Sequence, residues 1–132
     1  MKRNLPKRFL LVDDDSINNL IITHLLKTSV SSEIEIISFT EPARGIEFIA
    51  DYKFNKEKIP TVLFLDLNMP LITGWDFLEH INKMDKKIAN QFTIYILSSS
   101  VDNRDIERAR AIPIVSDYLI KPLTADILSN LF

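Results

Sequence analysis

Residues 9–12 and 62–65, and less purely 94–97 and 118–120, form short runs of apolar side chains with almost no polar interruption. A strand with one wet face alternates apolar and polar residues, whereas a strand covered on both faces does not. These runs therefore predict a parallel sheet with helices on both sides. A further strand is expected over residues 34–39. Between the strands lie segments of helical spacing. Ile17, Leu20, Ile21, His24 and Leu25 share one face after an Asp15-Ser16 start signal, which makes His24 a partly buried packing residue. Pro42 follows Thr40-Glu41 and opens a second helix carrying Ile46, Phe48 and Ile49. A third is expected from 74 or 75 to 84, with Trp75, Leu78 and Ile81 repeating at helical intervals. A fourth is expected over 102–112, stopped by Pro113, and a last over 125–131, capped by Thr124. Lysine-bearing stretches at 53–58 and 83–87 read as solvated helix ends and loops.

Strand and helix alternate throughout, without linker or repeat. The 132 residues, 46% hydrophobic and 26% charged, suit one domain spanning 1–132. The expected fold class is α/β, a doubly wound five-stranded parallel sheet in the flavodoxin-like order 2-1-3-4-5. Lys and Arg total 16 against 18 Asp and Glu, a net charge of −2 that excludes a generalised polyanion binder, so no direct nucleic-acid contact is expected. Absence of cysteine excludes disulfides, thiolate nucleophiles and Cys-ligated metals. The basic start of the chain leads into a short strand and three aspartates rather than a signal-peptide core. No apolar run approaches the roughly 18 residues that span a bilayer. A cytoplasmic protein without a membrane segment is expected.

In such a sheet the functional crevice lies beyond the carboxyl ends of the strands. The first strand ends in Asp13-Asp14-Asp15, the third in Asp66, the fourth in Ser98-Ser99-Ser100 and the fifth in Lys121. Carboxylates gathered at one rim repel one another unless a cation sits among them. Oxygen-only ligands suit a hard ion, and Mg²⁺ typically takes one or two carboxylates while keeping waters and accepting a phosphoryl oxygen. Lys121 supplies a compact positive charge, and Ser98 a hydroxyl donor. The combination reads as a phosphoryl-handling site. Asp15 is expected to cap the first helix, Ser99 and Ser100 to be loop polar groups, and His80 to be solvated.

The acidic pair Asp13-Asp14 after Leu10-Leu11-Val12, the segment Leu63-Phe64-Leu65-Asp66-Leu67-Asn68-Met69-Pro70 followed by Gly74, the strand end Ile96-Leu97-Ser98, and Tyr118-Leu119-Ile120-Lys121-Pro122 together resemble the receiver domains of two-component response regulators, including the stand-alone chemotaxis type. The resemblance covers nearly the whole chain. It implies that Asp66 accepts a phosphoryl group from a histidine kinase or a histidine phosphotransfer protein. It further implies that Asp14, Asp66 and the Asn68 carbonyl ligate Mg²⁺, with Asp13 acting mainly through bound water. Lys121 and Ser98 would bind the phosphoryl group, Tyr118 would swing into space that Ser98 vacates, and Pro122 would follow a cis peptide that orients Lys121. Helix four, strand five and helix five would form the altered face and engage a protein target. Such a protein would turn over no substrate beyond its own phosphorylation and dephosphorylation, and its output would lie with a partner or outside these residues.

Ser98 stands where the family commonly has threonine, Ser99 where a smaller residue is usual, and Ile114-Val115-Ser116 where Gly-Ala often precedes strand five, so that loop is expected to be unusual. Ser100 and Asn68 flank the path of hydrolytic water, where they would set the lifetime of the acyl phosphate. Rival readings are a haloacid-dehalogenase-type phosphatase with Asp13 as nucleophile and Asp15 as acid/base, which leaves Asp66 unexplained, and a receiver-like module that binds without phosphorylation. A phosphotransfer domain built around His24 conflicts with the strands. A flavin site conflicts with three aspartates where a phosphate loop would lie.

Overall fold

The computed structural model describes residues 5–51 and 58–132. Its five strands, β1 (Arg8–Val12), β2 (Glu35–Phe39), β3 (Thr61–Leu65), β4 (Phe92–Ser98) and β5 (Val115–Ile120), form one sheet in the order β2-β1-β3-β4-β5. All neighbours are parallel. The helices are α1 (Ser16–Ser29), α2 (Pro42–Ala50), α3 (Gly74–Lys83), α4 (Asn103–Arg110) and α5 (Ala125–Leu131), and a single helical turn, Lys86–Ala89, follows α3. That turn was not expected from the sequence; Asp85 caps it by accepting from the Lys87 N–H. Residues 53–57 of the first lysine-bearing stretch lie outside the described residues, while Lys58, Lys83, Lys86 and Lys87 are exposed.

Alternate residues of the uninterrupted runs point to opposite faces of the sheet, which is why each run must be apolar throughout. Leu10, Val12, Leu63, Leu65, Ile94 and Ile96 pack with Ile49 of α2, Phe77, Leu78 and Ile81 of α3, and Ala109 of α4. Phe9, Leu11, Val62, Phe64, Leu97 and Leu119 pack on the other face with Ile22 and Leu26 of α1 and Leu128 of α5. Phe132 seals this second layer edge-on, its ring centre 5.6 Å from Phe9 and 6.2 Å from Tyr95. On the first face, the guanidinium of Arg108 in α4 lies 4.1 Å from the ring centre of Trp75 in α3. Truncating a fully buried leucine in either layer would cost roughly 2–5 kcal/mol.

α1 lies differently from expectation. Ile17, Leu20 and Ile21 are 67%, 70% and 58% exposed, and His24 is exposed with them, whereas Asn19, Ile22 and Leu26 face the sheet. The cause is polar. The Asn19 side-chain amide donates to the Asp13 carbonyl at 3.1 Å, and this bond turns an asparagine inward at the position where an apolar residue would have been expected. Ile22 and Leu26 then follow at helical intervals.

β5 begins at Val115, before the expected Tyr118, because the chain buckles at its first residues: Ile94 pairs with Val115 but Tyr95 with Asp117. Ser116 is the extra residue of this bulge, at the place where the sequence lacks the usual small pair. Among the described residues, no helix is long and apolar enough to cross a membrane.

Candidate functional site

Register brings the polar strand ends together. Val12 of β1 is paired with Leu65 of β3, so Asp13 and Asp66 leave the sheet at the same level, and Ser98 is paired with Ile120, which sets Lys121 one residue beyond. Backbone bonds carry the ladder past the strands: the Asp66 N–H donates to the Val12 carbonyl at 2.9 Å and the Lys121 N–H to the Ser98 carbonyl at 2.8 Å. The peptide between Lys121 and Pro122 is cis.

Asp13 and Asp66 are 4% and 6% exposed, while Asp14 is open to solvent. One oxygen from each of the three carboxylates lies within 4.8 Å of the others. Lys121 Nζ stands 2.9 Å from Asp13 Oδ2 and 3.6 Å from Asp66 Oδ1. Burial first, then the Asp13 charge, pushes the Asp66 carboxyl up to about 6, against the opposing pull of Lys121 and of the Asn68 N–H. Burial opposes the charge on Lys121, yet the hydrogen bond and charge of Asp13, with those of Asp66, outweigh it and hold the ammonium above its usual range. One lysine thus serves two buried carboxylates. A site with an excess of buried negative charge, only oxygen donors and one ligand open to water fits a hard divalent ion such as Mg²⁺. Asp13, Asp14 and Asp66 would hold it. Asn68 meets Asp66 through its N–H, at 3.3 Å from Oδ1.

Ser98 is fully buried, and its hydroxyl accepts from the Ser100 N–H at 3.1 Å. A hydroxyl can donate while it accepts, so its proton is left for another oxygen. Tyr118 is turned inward, 5% exposed, with its hydroxyl donating to the Ser100 carbonyl at 2.8 Å. Ser100 is more than a loop polar group: its own hydroxyl donates to Asp105 of α4 at 2.7 Å and accepts from the Asp102 N–H at 3.2 Å. The loop after β4 is thereby tied to β5 and to α4. Asp15 caps α1, accepting from the Ile17 and Asn18 N–H groups at 3.0 and 3.2 Å, and this leaves it poorly placed for acid/base work beside Asp13.

Two participants at Asp13 were not anticipated from the sequence. Asn18 donates from Nδ2 to Asp13 Oδ2 at 2.7 Å, and Asn19 holds the Asp13 carbonyl. A pair of asparagines in the first turn after an acidic strand end was the available signal. Gly74, already part of the motif read from the sequence, is the residue that lets α3 start against β3. Its N–H donates to the Leu67 carbonyl at 2.9 Å, and a Cβ there would meet the Asp66 carbonyl oxygen at 2.5 Å. Between them, Leu71 has φ of 67° and is fully exposed, and the Ile72 N–H donates to the Pro70 carbonyl at 2.8 Å across it. This is the strained form of the three-residue γ-turn.

Fold and rim together define a doubly wound α/β protein with a cluster of carboxylates answered by one lysine. The chain belongs to the response regulator receiver domain family, whose model matches residues 9–132. The crystal structure of a two-component response regulator from Cytophaga hutchinsonii is 32% identical with a TM-score of 0.81, covering 97% of this chain and 95% of that one. A response regulator receiver protein from Dyadobacter fermentans DSM 18053 is 29% identical with a TM-score of 0.79, covering 94% and 93%. The two-component response regulator ORR1 of Oryza sativa subsp. japonica is 25% identical over 117 residues; the match takes in 88% of this chain and 49% of the rice protein, about half its length.

Proposed function

We propose that this chain is a phosphoacceptor in a two-component phosphorelay, a single receiver domain over residues 1–132 that receives a phosphoryl group on Asp66 from a histidine kinase or a histidine phosphotransfer protein. A carboxylate needs no general base, since its ionised oxygen is itself the nucleophile. An Asp66 oxygen attacks phosphorus, the bond from phosphorus to the donor's imidazole nitrogen breaks, and the leaving imidazole takes a proton from solvent. The product is an acyl phosphate. Asp14, Asp66 and the Asn68 carbonyl, with Asp13 mainly through bound water, would hold Mg²⁺, which would supply positive charge to screen the incoming phosphoryl oxygens. Lys121 crosses from Asp13 to the new phosphoryl oxygens, and Ser98 turns its free proton toward them.

Those contacts exist only after transfer, so they bias the protein toward whichever conformation offers them best. Ser98 is bonded to the Ser100 N–H, and Ser100 to both Tyr118 and Asp105. A change at the hydroxyl therefore reaches α4 and β5, and with α5 these form the face that engages a downstream protein. The observation that carries the reading is the shared lysine, 2.9 Å from Asp13 and 3.6 Å from Asp66, at the ends of adjacent buried strands.

Intact-mass spectrometry after incubation with Mg²⁺ and acetyl phosphate tests it. The expected result is one added phosphoryl mass in the wild type and none in Asp66→Asn. An adduct that survives Asp66→Asn but not Asp13→Asn would overturn the assignment in favour of a phosphatase-like nucleophile. No adduct together with no beryllofluoride binding would make the chain a phosphorylation-independent module.

A further inference from the structure

Asp13 is 4% exposed, so its carboxylate must be satisfied by protein donors, and it has three. Oδ1 accepts from the Asp15 N–H at 2.9 Å. Oδ2 accepts from both Lys121 Nζ at 2.9 Å and Asn18 Nδ2 at 2.7 Å. Each carboxylate oxygen offers about two lone-pair directions, so Oδ2 is filled by these donors while Oδ1 keeps one direction open. The donors differ in kind. Lys121 is a mobile cation on a long stem that already leans toward Asp66, whereas Asn18 is a neutral amide on the first turn of a capped helix.

We propose that Asn18 is a positioning residue, the standing donor that keeps Asp13 satisfied and in place when Lys121 leaves it. The proposal rests on Asp66 being the acceptor. When Lys121 is drawn across to a phosphoryl group, a buried carboxylate oxygen loses its charged partner, and a buried acceptor left bare is costly. With Asn18 in place, Oδ2 keeps a 2.7 Å hydrogen bond throughout. Without it, the departure of Lys121 strips Oδ2 of both side-chain donors, and the crossing is opposed. A neutral amide suits this position on electrostatic grounds. An aspartate would add a further carboxylate to the cluster, and a lysine would compete with the divalent ion. Asn19 fastens the same helical turn to the Asp13 carbonyl at 3.1 Å, so Asn18 is presented from a support anchored on Asp13 itself.

Beryllofluoride, which occupies the place of a phosphoryl group on a carboxylate, separates this role from a packing role. Wild type, Asn18→Ala and the near-isosteric Asn18→Leu would be titrated calorimetrically with Mg²⁺ alone, and then with beryllofluoride at saturating Mg²⁺. Mg²⁺ alone leaves Lys121 on Asp13, so in both variants its affinity is expected to fall by much less than that of beryllofluoride, which falls about tenfold, the scale of one hydrogen bond to a charged group. Leucine behaving like asparagine would show that shape suffices and overturn the proposal. An equal loss of affinity for Mg²⁺ and beryllofluoride would overturn it too, by making Asn18 a general part of the acidic pocket. A wild type that binds Mg²⁺ but no beryllofluoride would remove the acceptor reading, and this proposal with it.

Discussion

A methyl group on Gly74 would stand 2.5 Å from the carbonyl oxygen of Asp66 and 2.7 Å from the Leu67 Cα. Both obstacles are backbone, and neither can rotate aside. Gly74→Ala must therefore push α3 away from β3 or displace the peptide that carries Asp66. The expected cost is about 1–3 kcal/mol in urea unfolding, with weaker Mg²⁺ binding because Asp66 moves with its backbone. A variant within about 0.5 kcal/mol of wild type would show that the loop yields freely.

The raised Asp66 carboxyl, about 6 against an ordinary 3.8, means that the folded, metal-free protein holds that proton more tightly than the unfolded chain does. The stability from this group is fully present below the unfolded value and is lost as pH rises through about 6. The loss should amount to roughly 2 kcal/mol, once water at the rim is allowed for. Mg²⁺ competes with the proton, so its apparent affinity should weaken on acidification below about pH 6. Thermal unfolding in chelator and calorimetric Mg²⁺ titrations at several pH values measure both trends. A wild-type stability that climbs relative to that of Asp66→Asn between pH 4 and 6 would reverse the sign and refute the burial argument.

Lys121→Ala removes the cation shared by Asp13 and Asp66. Two buried carboxylates then face each other with less compensation, and the metal-free variant should lose about 1–3 kcal/mol. Saturating Mg²⁺ should raise the melting temperature of the variant more than that of wild type, since the ion restores the missing charge. Some phosphorylation on Asp66 should persist while the conformational response weakens. Equal metal-induced gains in both proteins would contradict the shared-cation account.

Leu71 is fully exposed with φ of 67°, a conformation that costs an L-residue of this kind on the order of 1 kcal/mol. No packing is lost on truncation. Leu71→Gly should stabilise the fold by a few tenths to about 1 kcal/mol, the gain being trimmed by the entropy of an extra glycine in the unfolded chain. Leu71→Val, stiffer at Cβ, should destabilise it. Denaturant midpoints that rank valine above glycine would reject the strain.

The central strands were readable because strands buried on both faces have to be apolar at every position, as residues 9–12 and 62–65 are, whereas the partly exposed β2 and β5 carry a weaker signal. The rim was readable for the same reason: Asp13, Asp66, Ser98 and Lys121 are the residues at which those runs stop. The orientation of α1 was not. Apolar spacing offered Ile17, Leu20, Ile21, His24 and Leu25 as the inner face, of which only Leu25 packs partly against the core; Asn19, bonded to the Asp13 carbonyl, faces inward instead, and hydrophobic patterns contain no information about such a bond. The bulge at Ser116 was visible only as an unusual loop, since a register shift depends on how two strands meet rather than on either one alone. Asp105 gave no signal at all; its importance arises from the path of the loop that brings Ser100 to it.

Trp75 is the chain's one tryptophan, and a guanidinium 4.1 Å from its ring centre links it to α4. An indole's emission shifts in colour and intensity when a nearby charge withdraws. This fold therefore contains a single tryptophan probe at the seam between α3, which follows the strand that ends at Asp66, and α4. Any rearrangement that separates the two can be followed in solution by light alone, without a label and without knowledge of the partner.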